Sequence, residues 1–64
     1  MVVSIYLKYK DQYFIDCMIQ NYKAVVDDNI ITIKDDRWYS ALQEIMRVLR
    51  DKNQNIISRF EVTI

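Results

Sequence analysis

The sequence contains no glycine and no proline in 64 residues, although average usage is about 7% and 5%. Glycine is the residue that enters left-handed backbone at no steric cost and lets a main chain approach a ligand closely. Phosphate-cradling loops, dinucleotide fingerprints and nucleophile elbows all depend on it. None of these can be built here, and every tight turn must rest on Asp or Asn, the non-glycine residues that best tolerate positive φ.

The remaining composition narrows the chemistry further. Histidine is absent and Cys17 is the one cysteine, so no intramolecular disulfide can form and no set of soft ligands exists for zinc, iron-sulfur or haem. A reducing compartment is the simplest expectation. The segment Met1-Val2-Val3-Ser4-Ile5 lacks a basic n-region, and no run approaches the roughly 20 apolar residues of a membrane span. A cytoplasmic protein with no membrane role is expected. Nine basic residues balance nine acidic ones, so the molecule as a whole has no field that steers it to an anionic partner.

A chain this short has room for one domain, 1–64. A domain of this size buries only about 60% of the surface that its unfolded chain exposes, which leaves it marginally stable unless a partner reinforces it.

Residues 2 to 9 alternate, Val3, Ile5, Leu7 and Tyr9 against Ser4, Tyr6 and Lys8, which predicts a half-buried strand. After the polar break Lys10-Asp11-Gln12, residues 13 to 19 alternate again: Tyr13, Ile15, Cys17 and Ile19 against Phe14, Asp16 and Met18. We read a second strand there. Phe14, Cys17, Met18, Tyr22 and Val25 also stand at helical spacing, and a helix would convert the topology to a ferredoxin-like βαββαβ. Lys23 to Val26 and Ile30 to Lys34 form a hairpin around Asp27-Asp28-Asn29.

The clearest element is a helix over about 36–52 whose stripe is Trp38, Ala41, Leu42, Ile45, Val48 and Leu49. Asp35 or Asp36 is its expected N-cap. Arg47, Arg50 and Lys52 complement its C-terminal dipole, and Asn53-Gln54-Asn55 ends it. A final strand takes 56–64. The fold class is therefore α+β: a small two-layer sandwich of one long amphipathic helix on a mostly antiparallel sheet, ordered β-β-β-β-α-β, with one sheet face uncovered.

The paired carboxylates Asp27-Asp28 and Asp35-Asp36 read as a turn and a helix cap rather than as an acid-base or cation site. Cys17 has no base beside it and reads as a small buried hydrophobe of the second strand. Catalytic, cofactor and metal residues are expected to be absent. The residues that invite a partner are Tyr39, Gln43, Met46 and Arg50, which line one flank of the long helix beside its buried stripe. The plainer alternative is that Tyr39 and Met46 widen the core contact. Tyr6, Phe14 and Met18, joined by Ile57, would put a second apolar patch on the uncovered sheet face.

In type, a tiny glycine-poor chain rich in tyrosine and isoleucine resembles the accessory proteins of phages and other mobile elements. The likeness is one of type, carries no motif and transfers no residue. It implies a non-enzymatic protein-binding module that inhibits or adapts a host protein, and that associates with itself as a homodimer or other oligomer. Two further expectations stand beside it. Lys8, Lys10, Arg37, Arg47, Arg50, Lys52 and Arg59 with Tyr6, Tyr9 and Tyr39 would make a nucleic-acid-binding or regulatory protein, and the third expectation is a structural subunit of a larger assembly.

Overall fold

A computed structural model describes residues 1–34, 36–51 and 55–64. Among the described residues six elements follow one another: β1 (Val2–Leu7), α1 (Gln12–Tyr22), β2 (Val25–Asp27), β3 (Ile30–Ile33), α2 (Trp38–Arg50) and β4 (Ile57–Thr63). The strands form one antiparallel sheet in the order β2-β3-β1-β4. This is a two-layer α+β fold with ferredoxin-like βαββαβ connectivity, so two helices cover the sheet where the alternation had favoured one.

Residues 13–19 belong to α1 and not to the second strand that their alternation predicts. Alternation there puts Tyr13, Ile15, Cys17 and Ile19 on one strand face, yet Tyr13 is 81% exposed while Phe14, Ile15 and Met18 are buried. That is the i, i+1, i+4 signature of a helix. Local chemistry explains why the helix wins. The Phe14 N–H donates to the Asp11 carboxylate at 3.0 Å, which gives α1 a true N-cap. Gln12 Nε2 donates to Asp16 Oδ1 at 2.9 Å, an i, i+4 pair that helical backbone brings together and extended backbone holds apart. Lys23 closes the helix in left-handed backbone, φ 54°, with its N–H on the Ile19 carbonyl.

The other boundaries are shorter than the alternation reads. β1 ends at Leu7, so Tyr9 leaves the sheet, and α2 runs from Trp38 to Arg50. The hairpin forms, but its first strand begins at Val25 because Lys23 ends α1, and its turn is Asp28 and Asn29 alone, between the paired residues Asp27 and Ile30, with Asp28 at φ 57°. Asp36 does not cap α2. The cap position is Arg37, which makes no side-chain cap bond and instead donates from Nη1 to the Asn21 carbonyl at 2.9 Å, at the C-terminal end of α1. Asp35, Lys52, Asn53 and Gln54, also assigned to the ends of this helix, lie outside the described residues.

The core is the layer between sheet and helices. Val3, Ile5 and Leu7 of β1, Ile31 and Ile33 of β3 and Ile57 of β4 meet Phe14, Ile15 and Met18 of α1 and Ala41, Ile45 and Val48 of α2. Ile57 reaches this layer through an irregularity. Arg59 pairs with Tyr6 but Ile57 pairs with Leu7, so Ser58 is the extra residue of a bulge that inverts the alternation at the start of β4. Trp38 and Leu42 are half-buried against the core, and Leu49, assigned to the buried stripe, is 47% exposed.

Candidate functional site

The uncovered sheet face and the outer flank of α2 are the two surfaces that carry residues singled out from the sequence. On the sheet face, the register aligns Asp27, Ile30, Tyr6 and Arg59 in one cross-strand row and Val25, Thr32, Ser4 and Glu61 in the next. Of the proposed aromatic patch, only Tyr6 is here. Phe14 and Met18 are in the core because 13–19 is helical, and Ile57 is buried on the opposite face because of the bulge. The face is mostly polar. The Tyr6 ring lies under the Arg59 guanidinium at 4.1 Å, and Arg59 Nη1 also donates to Glu61 Oε1 at 2.6 Å. An aromatic platform for bases needs a free ring face, and this one is occupied by a cation that is itself paired.

The flank of α2 is different in kind. At about 100° per residue, Glu44 and Val48 turn one side of α2 toward α1, where they and Arg47 share a groove with Tyr13, Cys17 and Asn21. Cys17 is half-buried in that groove, on a helix rather than the strand assigned to it. Tyr39, Leu42, Met46 and Leu49 point to the other side. Tyr39 is 61% exposed and Met46 43% exposed, so neither widens the core. Tyr39, Gln43, Met46 and Arg50 do come together, and they line one shallow depression with Leu42.

Periodicity alone missed Leu42 and Leu49 as members of this surface, because both also fit the buried stripe. The signal that separates them is a second spacing: 39, 42, 46 and 49 recur at i, i+3, i+7 and i+10, the seam of a helix that packs against another element. The sheet order explains why the seam is open. α2 packs on β1, α1 packs on β2 and β3, and the strand on the far side of β1 is β4, at the edge. The side of α2 that faces away from α1 is therefore on the β4 side of β1, and the β4 residues on the helix side, Phe60 and Val62, are themselves incompletely covered.

Electrostatics mark the opposite side of α2. Arg47 forms a bidentate pair with Glu44, one turn back on the helix, through Nε at 3.3 Å and through Nη2. That hydrogen bond, with the Glu44 charge, raises the Arg47 pKa further above its ordinary range. Partial burial, followed by the Glu44 charge, raises the Tyr22 phenol, and Arg47 opposes the shift. Among the described residues no three His, Cys, Asp or Glu side chains gather closely enough to hold a metal ion, and no helix is long and apolar enough to cross a membrane.

No protein-family model matches the chain, and no curated protein or solved structure shows significant similarity to it.

Proposed function

We propose that the chain is a non-enzymatic protein-binding module, acting in the cytoplasm as an inhibitor or adaptor of a host protein in the manner of phage and mobile-element accessory proteins. The binding element of this reading is the outer flank of α2. The observation that carries it is the seam of Tyr39, Leu42, Met46 and Leu49, in which Tyr39, Met46 and Leu49 are exposed and Leu42 is partly buried, beside an already satisfied core stripe. A marginal domain gains nothing from holding such side chains in water. Aromatic, methionine and arginine residues are the types enriched at the centre of protein interfaces, and Gln43 and Arg50 give the apolar seam a polar margin.

The experiment is capture with purified chain as bait, followed by reconstitution with the single purified prey. Met46→Asp is expected to weaken that complex by at least about 30-fold, the equivalent of about 2 kcal/mol. Gln20→Asp, on the exposed side of α1, is expected to leave it unchanged. Equal affinity for both variants would contradict the assignment of the flank.

A further inference from the structure

The two edges of the sheet are not alike. β2 is three residues long, ends on Asp27 and runs straight into the Asp28-Asn29 turn, a short edge closed by charge, of the kind that resists further pairing. β4 is seven residues long, and beyond the bulge at Ser58 it presents a continuous edge with no proline to block it. Its charges do not guard that edge. Arg59 and Glu61 both stand on the open sheet face, two residues apart and opposite in sign.

That pattern is complementary to itself. If β4 pairs antiparallel with another β4 around Phe60, Arg59 of each copy stands directly across from Glu61 of the other, and the two ion pairs flank a Phe60–Phe60 contact on the helix side. Shifting the centre by one residue to Glu61 would set two carboxylates face to face, which is destabilising. We propose that the occupant of the β4 edge is a second copy of this chain, joined in this register to make a continuous eight-stranded sheet.

The inference rests on the reading of the α2 flank as a binding surface and adds how that surface is completed. With strands about 4.8 Å apart, the two β1 strands, and the α2 helices that pack on them, stand about 14 Å from each other across the paired edges. Directly packed helices stand 8–10 Å apart. A trough therefore remains, walled by Tyr39, Leu42, Met46 and Leu49 of both copies and floored by Phe60 and Val62. Each copy alone holds half of the trough.

Sedimentation equilibrium of the full chain at micromolar concentration tests this. The wild type is expected to be a dimer. Arg59→Glu and Glu61→Arg, each alone, set like charges across the symmetric register and are expected to weaken the dimer about tenfold or more, with circular dichroism confirming that each remains folded. Mixing the two variants in equal amounts is expected to restore association as a heterodimer, because the chain with two acidic groups then faces the chain with two basic ones. Neither variant has the internal Arg59–Glu61 pair, so restoration on mixing reads intermolecular pairing alone. A monomeric wild type, or a dimer indifferent to both substitutions and to mixing, would overturn the proposal. Either result would leave the α2 reading to stand or fall on Met46→Asp, whose effect on a captured partner is measured separately.

Discussion

Arg59 and Tyr6 are cross-strand partners at the junction of β1 and β4, and the guanidinium covers the phenol ring from 4.1 Å. The cation that would contact a phosphate and the ring that would stack a base are turned toward each other. Exposed cation–π contacts and surface ion pairs are each worth at most about 1 kcal/mol. Arg59→Ala is therefore expected to cost no more than about 2 kcal/mol in a urea titration run at a concentration low enough to keep the chain monomeric, and a larger loss would show that Arg59 has a structural role not accounted for by these contacts.

The helical reading of 13–19 separates two neighbouring aromatic and apolar residues sharply. Met18 is 1% exposed and Tyr13 81% exposed. Met18→Ala is expected to cost about 2–5 kcal/mol through a core cavity, which in a domain this small leaves much of the chain unfolded. Tyr13→Ala is expected to stay within about 0.5 kcal/mol of wild type. A strand with Tyr13 facing inward would reverse that order in thermal melts.

The cap assignment gives a second comparison. Asp11 accepts the Phe14 N–H, whereas Asp36 is an exposed turn residue preceding the Arg37 cap position. Asp11→Ala is expected to lower stability by about 1 kcal/mol, and Asp36→Ala by a few tenths at most. Equal losses would place a cap at both helices.

Alkaline stability follows from Tyr22. Burial and the Glu44 charge raise its phenol above the ordinary 10.0, so the folded chain holds that proton when the unfolded chain has lost it. The contribution is complete below pH 10 and declines as pH rises from the unfolded value through the folded one. Tyr22→Phe is expected to flatten the alkaline limb of a stability-versus-pH curve. An unchanged limb would mean that Tyr22 is solvated as in a peptide.

Elements whose pattern admits one period were legible in the sequence: the alternation of β1, the stripe of α2, and the Asp-Asn hairpin that stands in for a glycine turn. Residues 13–19 satisfy both periods, and only Asp11 as a cap and Gln12 with Asp16 tip the balance, signals weaker than four alternating side chains. The bulge at Ser58 inverts a face through one extra residue that no composition marks. At the candidate site, Tyr39, Gln43, Met46 and Arg50 were legible because a flank is fixed by helix geometry alone. The exposure of Leu49 was not, since it depends on where the sheet stops beneath α2, and Leu42 is shared between the core stripe and the seam. Phe14 and Met18 were assigned outward by the same error that made α1 a strand.

The most direct test of the binding surface is a photo-crosslinking amino acid placed at Tyr39, and separately at Tyr13, in cells that produce the chain. Both positions are well exposed, and only Tyr39 belongs to the seam. The expected result is a discrete protein adduct from Tyr39 that Tyr13 does not give and that Met46→Asp abolishes. The same adducts from both positions, or an adduct from Tyr13 alone, would contradict the account.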